Sequence, residues 1–217
     1  MTLAADPVPS KILLAVECFV LFVGVPVVLA VFLEPSAMYP VLTVAGVAGL
    51  ALLHFTPGFS WRELLGPIRV FPVIAFGVLT FAAASVLCWL ILPDRFWFLI
   101  QTQPQILLII ALFYPPLLVL PQEIVYRPLF YRRYGPLFPG QSAIWVNAVL
   151  FSLGHLMYWH WAVLLLTFVG SFVFSWAYLQ DRGFMQTMAL HSIAGFAVFA
   201  SGLGWLFFTG GNVAQGG

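Results

Sequence analysis

Ile106-Leu107-Leu108-Ile109-Ile110-Ala111-Leu112-Phe113-Tyr114-Pro115-Pro116-Leu117-Leu118-Val119-Leu120-Pro121-Gln122-Glu123-Ile124-Val125-Tyr126-Arg127 is an apolar run that closes on a carboxylate and a guanidinium four residues apart. The run is long enough to enter a bilayer core, and charges at that depth are costly unless they face a bundle interior, a pathway or a reacting site. At i and i+4, Glu123 and Arg127 share one helix face and can pair.

The rest of the chain reads the same way. Its 217 residues are 63% hydrophobic and only 7% charged, against about 25% charged in a soluble domain. A normal wet surface is therefore excluded. The composition implies a single all-α polytopic membrane domain over residues 1–217, in contact with the lipid bilayer. Alternating strands of the outer-membrane barrel type are missing from the pattern. A net charge of +1 gives no electrostatic support for a nucleic-acid partner. Cys18 and Cys88 both lie in apolar runs and read as inert buried thiols.

Hydropathy and breakers predict about seven spans, near 12–33, 37–55, 70–92, 105–131, 142–158, 162–180 and 185–208. Gly195, Gly202 and Gly204 mark the last as a span that can break into two. The first is too long for the apolar core of a cleaved signal and reads as a retained span. Gly210 to Gly217 read as a frayed tail. With the N-terminus in the cytoplasm, that side receives Lys11, Arg62, Arg69, Arg132, Arg133 and Arg182, and the other side only Arg95. That bias predicts an N-terminus inside and a C-terminus outside.

Few ionisable groups remain at depth. His160, in a loop between Trp159 and Trp161, and His54, at a span end beside the Thr56-Pro57-Gly58 turn, read as interfacial, and Glu17 reads as a snorkelling or interhelical group. Glu123, His155 and His191 lie on three spans at roughly 15, 20 and 10 Å above the cytoplasmic end, using about 1.5 Å of rise per residue. All three thus fall in one slab. A carboxylate beside an imidazole can activate water, and a second imidazole can steady an oxyanion. Taken singly, the Glu123–Arg127 pair reads as a helix lock and each histidine as an interhelical hydrogen-bonder; the set, in its order, points to one site.

Gln122-Glu123-x-x-x-Arg127, Phe151-x-x-x-His155 and His191-x-x-x-Gly195 resemble the three motifs of the CPBP intramembrane proteases, which include the type II CAAX prenyl endopeptidases and the bacterial Abi relatives. The family pattern is Glu-Glu-x-x-x-Arg, Phe-x-x-x-His and His-x-x-x-Asn or a variant, and the resemblance covers roughly residues 105–200. It implies an endopeptidase acting on a membrane protein or peptide, in a bacterial inner membrane. In that reading Glu123 and His155 activate water, Arg127 orients Glu123, and His191 stabilises the oxyanion. The resemblance implies no certain cofactor; a divalent metal, if one takes part, would rest on Glu123, His155 and His191. Two positions depart from the pattern. Gln122 stands for the first glutamate, whose role the resemblance gives to water activation, and Gly195 stands for the asparagine, which leaves Asn147 as another candidate donor. The departures keep two other readings open: a non-hydrolytic immunity or scaffold protein that binds membrane peptides, and a small proton-linked transporter.

Overall fold

The computed structural model describes residues 10–208, and the Gly210–Gly217 tail lies outside them. The described residues are helical with turns and contain no strand. Among the described residues, five helices are long and apolar enough to cross a membrane: α1 Lys11–Phe32, then Val70–Ile91, Pro104–Leu137, Trp161–Gln180 and Gly183–Ser201. Two shorter apolar helices, Met38–His54 and Ser142–Leu153, supply the other expected spans. In chain order they are α1, α2 (Met38–His54), α3 (Val70–Ile91), a short α4 (Phe98–Thr102), α5 (Pro104–Leu137), α6 (Ser142–Leu153), α7 (Trp161–Gln180), α8 (Gly183–Ser201) and a final turn α9 (Trp205–Phe208). The chain is an all-α polytopic membrane protein. Its last span breaks in two, at Gly202, whose φ of +94° suits glycine.

α8 is the packing centre. It lies along α3, where Gly77 lets the helices meet: a Cβ there would come within 2.6 Å of Ile193 Cγ1. It also meets α7 and α5. α2 lies against α5 through Gly46 and Gly49, which face Pro121 and Val125. Small residues at these crossings bring backbones close, the usual means of helix association where lipid offers no hydrophobic drive. Leu79, Leu108, Leu112 and Leu117 are among the large apolar side chains left on the outer surface, which suits lipid rather than water.

α5 is not a uniform α-helix. Wider i→i+5 turns span Pro115–Val119 and Val125–Tyr134, and a short α-helical segment, Leu120–Ile124, lies between them. Pro115, Pro116, Pro121 and Pro128 each remove a backbone donor, and widened turns are a standard way for a helix to absorb that loss. The distortion brackets Gln122 and Glu123. The helix also runs six residues beyond the expected end at 131. Arg132 and Arg133, expected to mark that end, are instead paired: Arg132 with Glu63 at 2.8 Å, and Arg133 with both oxygens of Glu17 at 2.7 and 2.9 Å. Glu17 thus makes the interhelical contact that its depth implied. Cys18 and Cys88 are buried free thiols.

The fifth span differs from its expected 142–158. α6 stops at Leu153, and Gly154 and His155 form a turn before Leu156–Tyr158. The His155 amide donates to the Ser152 carbonyl, three residues back, which tightens the helix end, and Tyr126 explains why position 154 is glycine. The Tyr126 hydroxyl approaches the Leu150 carbonyl at 3.4 Å, and any side chain at position 154 would overlap that hydroxyl.

Candidate active site

Gln122 and Glu123 are neighbours on one α-helical turn, so their side chains diverge by about 100°. Glu123 points into the bundle and is 0% exposed, as is Arg127. One carboxylate oxygen accepts from Arg127 Nε at 3.1 Å, and the other lies 2.8 Å from His191 Nδ1. Both oxygens are thereby occupied. Gln122 turns the other way and lines a cavity of about 750 Å³, and its Oε1 has no hydrogen-bond partner in the protein.

Arg127 is held on its far side by Asn147, Ser171 and Ser175. Nη1 donates to Asn147 Oδ1, and to Ser171 Oγ and Ser175 Oγ at 3.3 and 3.1 Å. Asn147 accepts further from the two serines and donates Nδ2 to the Tyr126 carbonyl at 2.7 Å. The Phe151 and Phe174 rings lie 5.3 and 5.8 Å from the guanidinium carbon. A buried guanidinium is tolerable only with this many partners. Asn147 is therefore a hub within the bundle and does not line the cavity. The two serines, four residues apart on α7, carried no motif; their signal was one polar helix face in an apolar span.

His191 sits between aromatic surfaces. Phe174 stacks on it at 4.8 Å, Phe151 meets it edge-on at 5.5 Å, and Tyr114 Oη lies 3.3 Å from Nε2. One negative and one positive charge already balance in Glu123 and Arg127, so a neutral His191 keeps the buried cluster at zero net charge. In that state Nδ1–H donates to Glu123, and Nε2 accepts from the Tyr114 hydroxyl.

His155 stands in the turn after α6, with Nδ1 2.8 Å from the Phe151 carbonyl. A carbonyl only accepts, so Nδ1 carries the proton and Nε2 is left as the free acceptor. The Phe151 and Tyr158 rings flank it at 4.8 and 6.1 Å. Phe151 thus orients both histidines. The structure gathers Gln122, Phe151, His155, His191 and Gly195 around one cavity, joined by Tyr114, Tyr158 and Thr167. The expected pairing of Glu123 with His155 is not made, because Arg127 and His191 draw the carboxylate inward.

The same geometry bears on a metal. Among the described residues no three His, Cys, Asp or Glu side chains converge as ligands. Glu123 is saturated by Arg127 and His191, so Glu123, His155 and His191 do not fit as a ligand set.

Residues 103–197 match the family model described as type II CAAX prenyl endopeptidase Rce1-like. Comparisons with curated proteins and with solved structures give no match. The matched segment runs from α5 to α8 and contains every residue of the cavity motifs and of the Arg127 network. Over this membrane core, somewhat under half of the chain, the sequence is similar to the type II CAAX prenyl endopeptidases of the Rce1-like family.

Proposed function

We propose that the chain is an intramembrane endopeptidase in which His155 is the base and Gln122 orients the water. The observation that carries this reading is the shared cavity, which Gln122 and His155 both line, with Gln122 Oε1 unpartnered in the protein and His155 Nε2 left as an acceptor. An amide cannot take a proton, but its oxygen can accept a hydrogen bond from water and aim it. Water attacks the scissile carbonyl carbon while its proton passes to His155 Nε2. The C–N bond then breaks, and His155 returns the proton to the leaving amine. Glu123 and Arg127 act from behind, fixing the ring of His191 and, through its Nε2, the Tyr114 hydroxyl at the cavity wall. The substrate is a segment of a membrane protein or peptide, because the cavity is walled by apolar side chains of α3, α5 and α8. The distribution of Lys and Arg supports a cytoplasmic N-terminus in a bacterial inner membrane.

The test is cleavage of fluorogenic membrane-anchored peptides by the purified protein in proteoliposomes. His155→Ala is expected to abolish cleavage and Gln122→Glu to raise it. Unchanged rates in both variants would sink the proposal.

A second reading is favoured by one observation, the withdrawal of the Glu123 carboxylate from the cavity. On that reading the chain binds membrane peptides without cutting them. Peptide binding with no turnover in the wild type, and turnover gained in Gln122→Glu, would select it.

A further inference from the structure

Tyr114 reaches the site from a part of α5 that no sequence motif covers. It stands nine residues before Glu123, lines the same cavity, and brings its hydroxyl to 3.3 Å from His191 Nε2. Its ring meets His191 edge-on at 6.2 Å and Phe199 at 5.7 Å. One helical turn beyond His191 lies Gly195. A Cβ built there would overlap Tyr114 Cε1, Cζ and Oη.

We propose that Tyr114 is a positioning residue for His191, and that position 195 is glycine because the tyrosine fills the volume a side chain would take. The imidazole is then fixed at both nitrogens. Glu123 accepts from Nδ1–H, and Tyr114 O–H donates to Nε2, an acceptor otherwise unpaired at the cavity wall. Phe174 and Phe151 set the plane of the ring, but neither can choose its tautomer. The glycine is part of the same device. Phe199 backs the tyrosine ring, so a methyl at 195 displaces the hydroxyl from Nε2 rather than finding free space. The consequence for cleavage rests on the endopeptidase reading; the effect on His191 does not.

The chain has four histidines, which makes selective ¹⁵N-histidine spectra in nanodiscs tractable, with His191→Asn identifying the His191 signals. Tyr114→Phe keeps the ring and removes the donor. It is expected to move the His191 Nε2 resonance downfield while leaving His155 in place. Gly195→Ala is expected to give the same displacement, and the double variant no more than either single one, since both remove one bond. Cleavage is expected to fall about fivefold in each through kcat, with KM held, as suits loss of one neutral hydrogen bond. An unmoved Nε2 signal in Tyr114→Phe overturns the proposal, and so does an unmoved signal in Gly195→Ala. A wild type that cuts nothing defeats the endopeptidase reading alone, because the spectra still decide the role of Tyr114.

Discussion

Glu123 Oε1 lies 2.8 Å from His191 Nδ1, so the acid of the first motif and the imidazole of the third are directly joined. The other carboxylate oxygen is held by Arg127 Nε at 3.1 Å, and neither Glu123 nor Arg127 has any exposed surface. The bond between motifs ties α5 to α8 at the depth of the cavity and gives Glu123 a role separate from that of its neighbour Gln122.

Glu123→Gln leaves the Arg127 guanidinium buried without a counter-charge. Removing one partner of a buried pair costs about 3–5 kcal/mol. A comparable loss is expected in detergent-solubilised protein, seen as a lower unfolding midpoint. Replacing both groups, as in Glu123→Gln with Arg127→Met, is expected to recover much of it. Equal midpoints for the wild type and the single variant would contradict the buried pair.

Asn147, on α6, satisfies groups on two other helices: Arg127 and the Tyr126 carbonyl on α5, and Ser171 and Ser175 on α7. Asn147→Leu keeps the approximate volume and strands those groups. About 2–3 kcal/mol of destabilisation is expected, against about 1 kcal/mol for Ser175→Ala. Combined in one protein, the two changes should cost less than their sum, because they share partners. Strict additivity in denaturant titrations would count against the network.

Gly46 opposes Pro121, and a Cβ at position 46 would stand 2.7 Å from Pro121 Cβ. Neither the proline ring nor the helix backbone can yield by a rotamer change. Gly46→Ala is therefore expected to push α5 away from α2 at the cost of about 1–3 kcal/mol. The push falls next to Gln122, so cleavage should drop along with thermal stability. A variant with normal stability and normal cleavage would show that the α2–α5 contact is loose.

His160 caps α7 from the connecting loop, its Nδ1 accepting from the Ala162 amide at 3.2 Å. Partial burial holds its pKa below the ordinary histidine value. A depressed histidine favours the neutral form in the folded protein, so its contribution is present at neutral pH. That contribution is lost as pH falls through about 6.5 and below. Stability should decline modestly between pH 7 and 5, and His160→Asn, which keeps a cap without a titrating group, should remove that decline. An identical pH profile in the variant would assign the dependence to another group.

The membrane character, the seven apolar segments and the break in the last span were legible in the sequence, because lipid demands apolar runs of fixed length whatever their packing. The slab expected for Glu123, His155 and His191 rested on rise per residue alone; the structure joins Glu123 to His191 and sets both histidines on one cavity. Direction around each helix was not legible. Gln122 and Glu123 are adjacent in sequence, and only the packing of α5 against α2, α6 and α8 decides that the amide meets the cavity and the carboxylate meets Arg127 and His191. The same holds for Tyr114, Ser171 and Ser175, whose polar groups carry no spacing signature and acquire partners only across helices. Gly154 adds a last case: the Tyr126 hydroxyl, from another helix, occupies the space where its Cβ would stand. The sequence by itself determined which segments are apolar enough for the bilayer. The tertiary structure decided which of their polar groups face one another, because a one-residue difference rotates a side chain by about 100° while barely changing its depth.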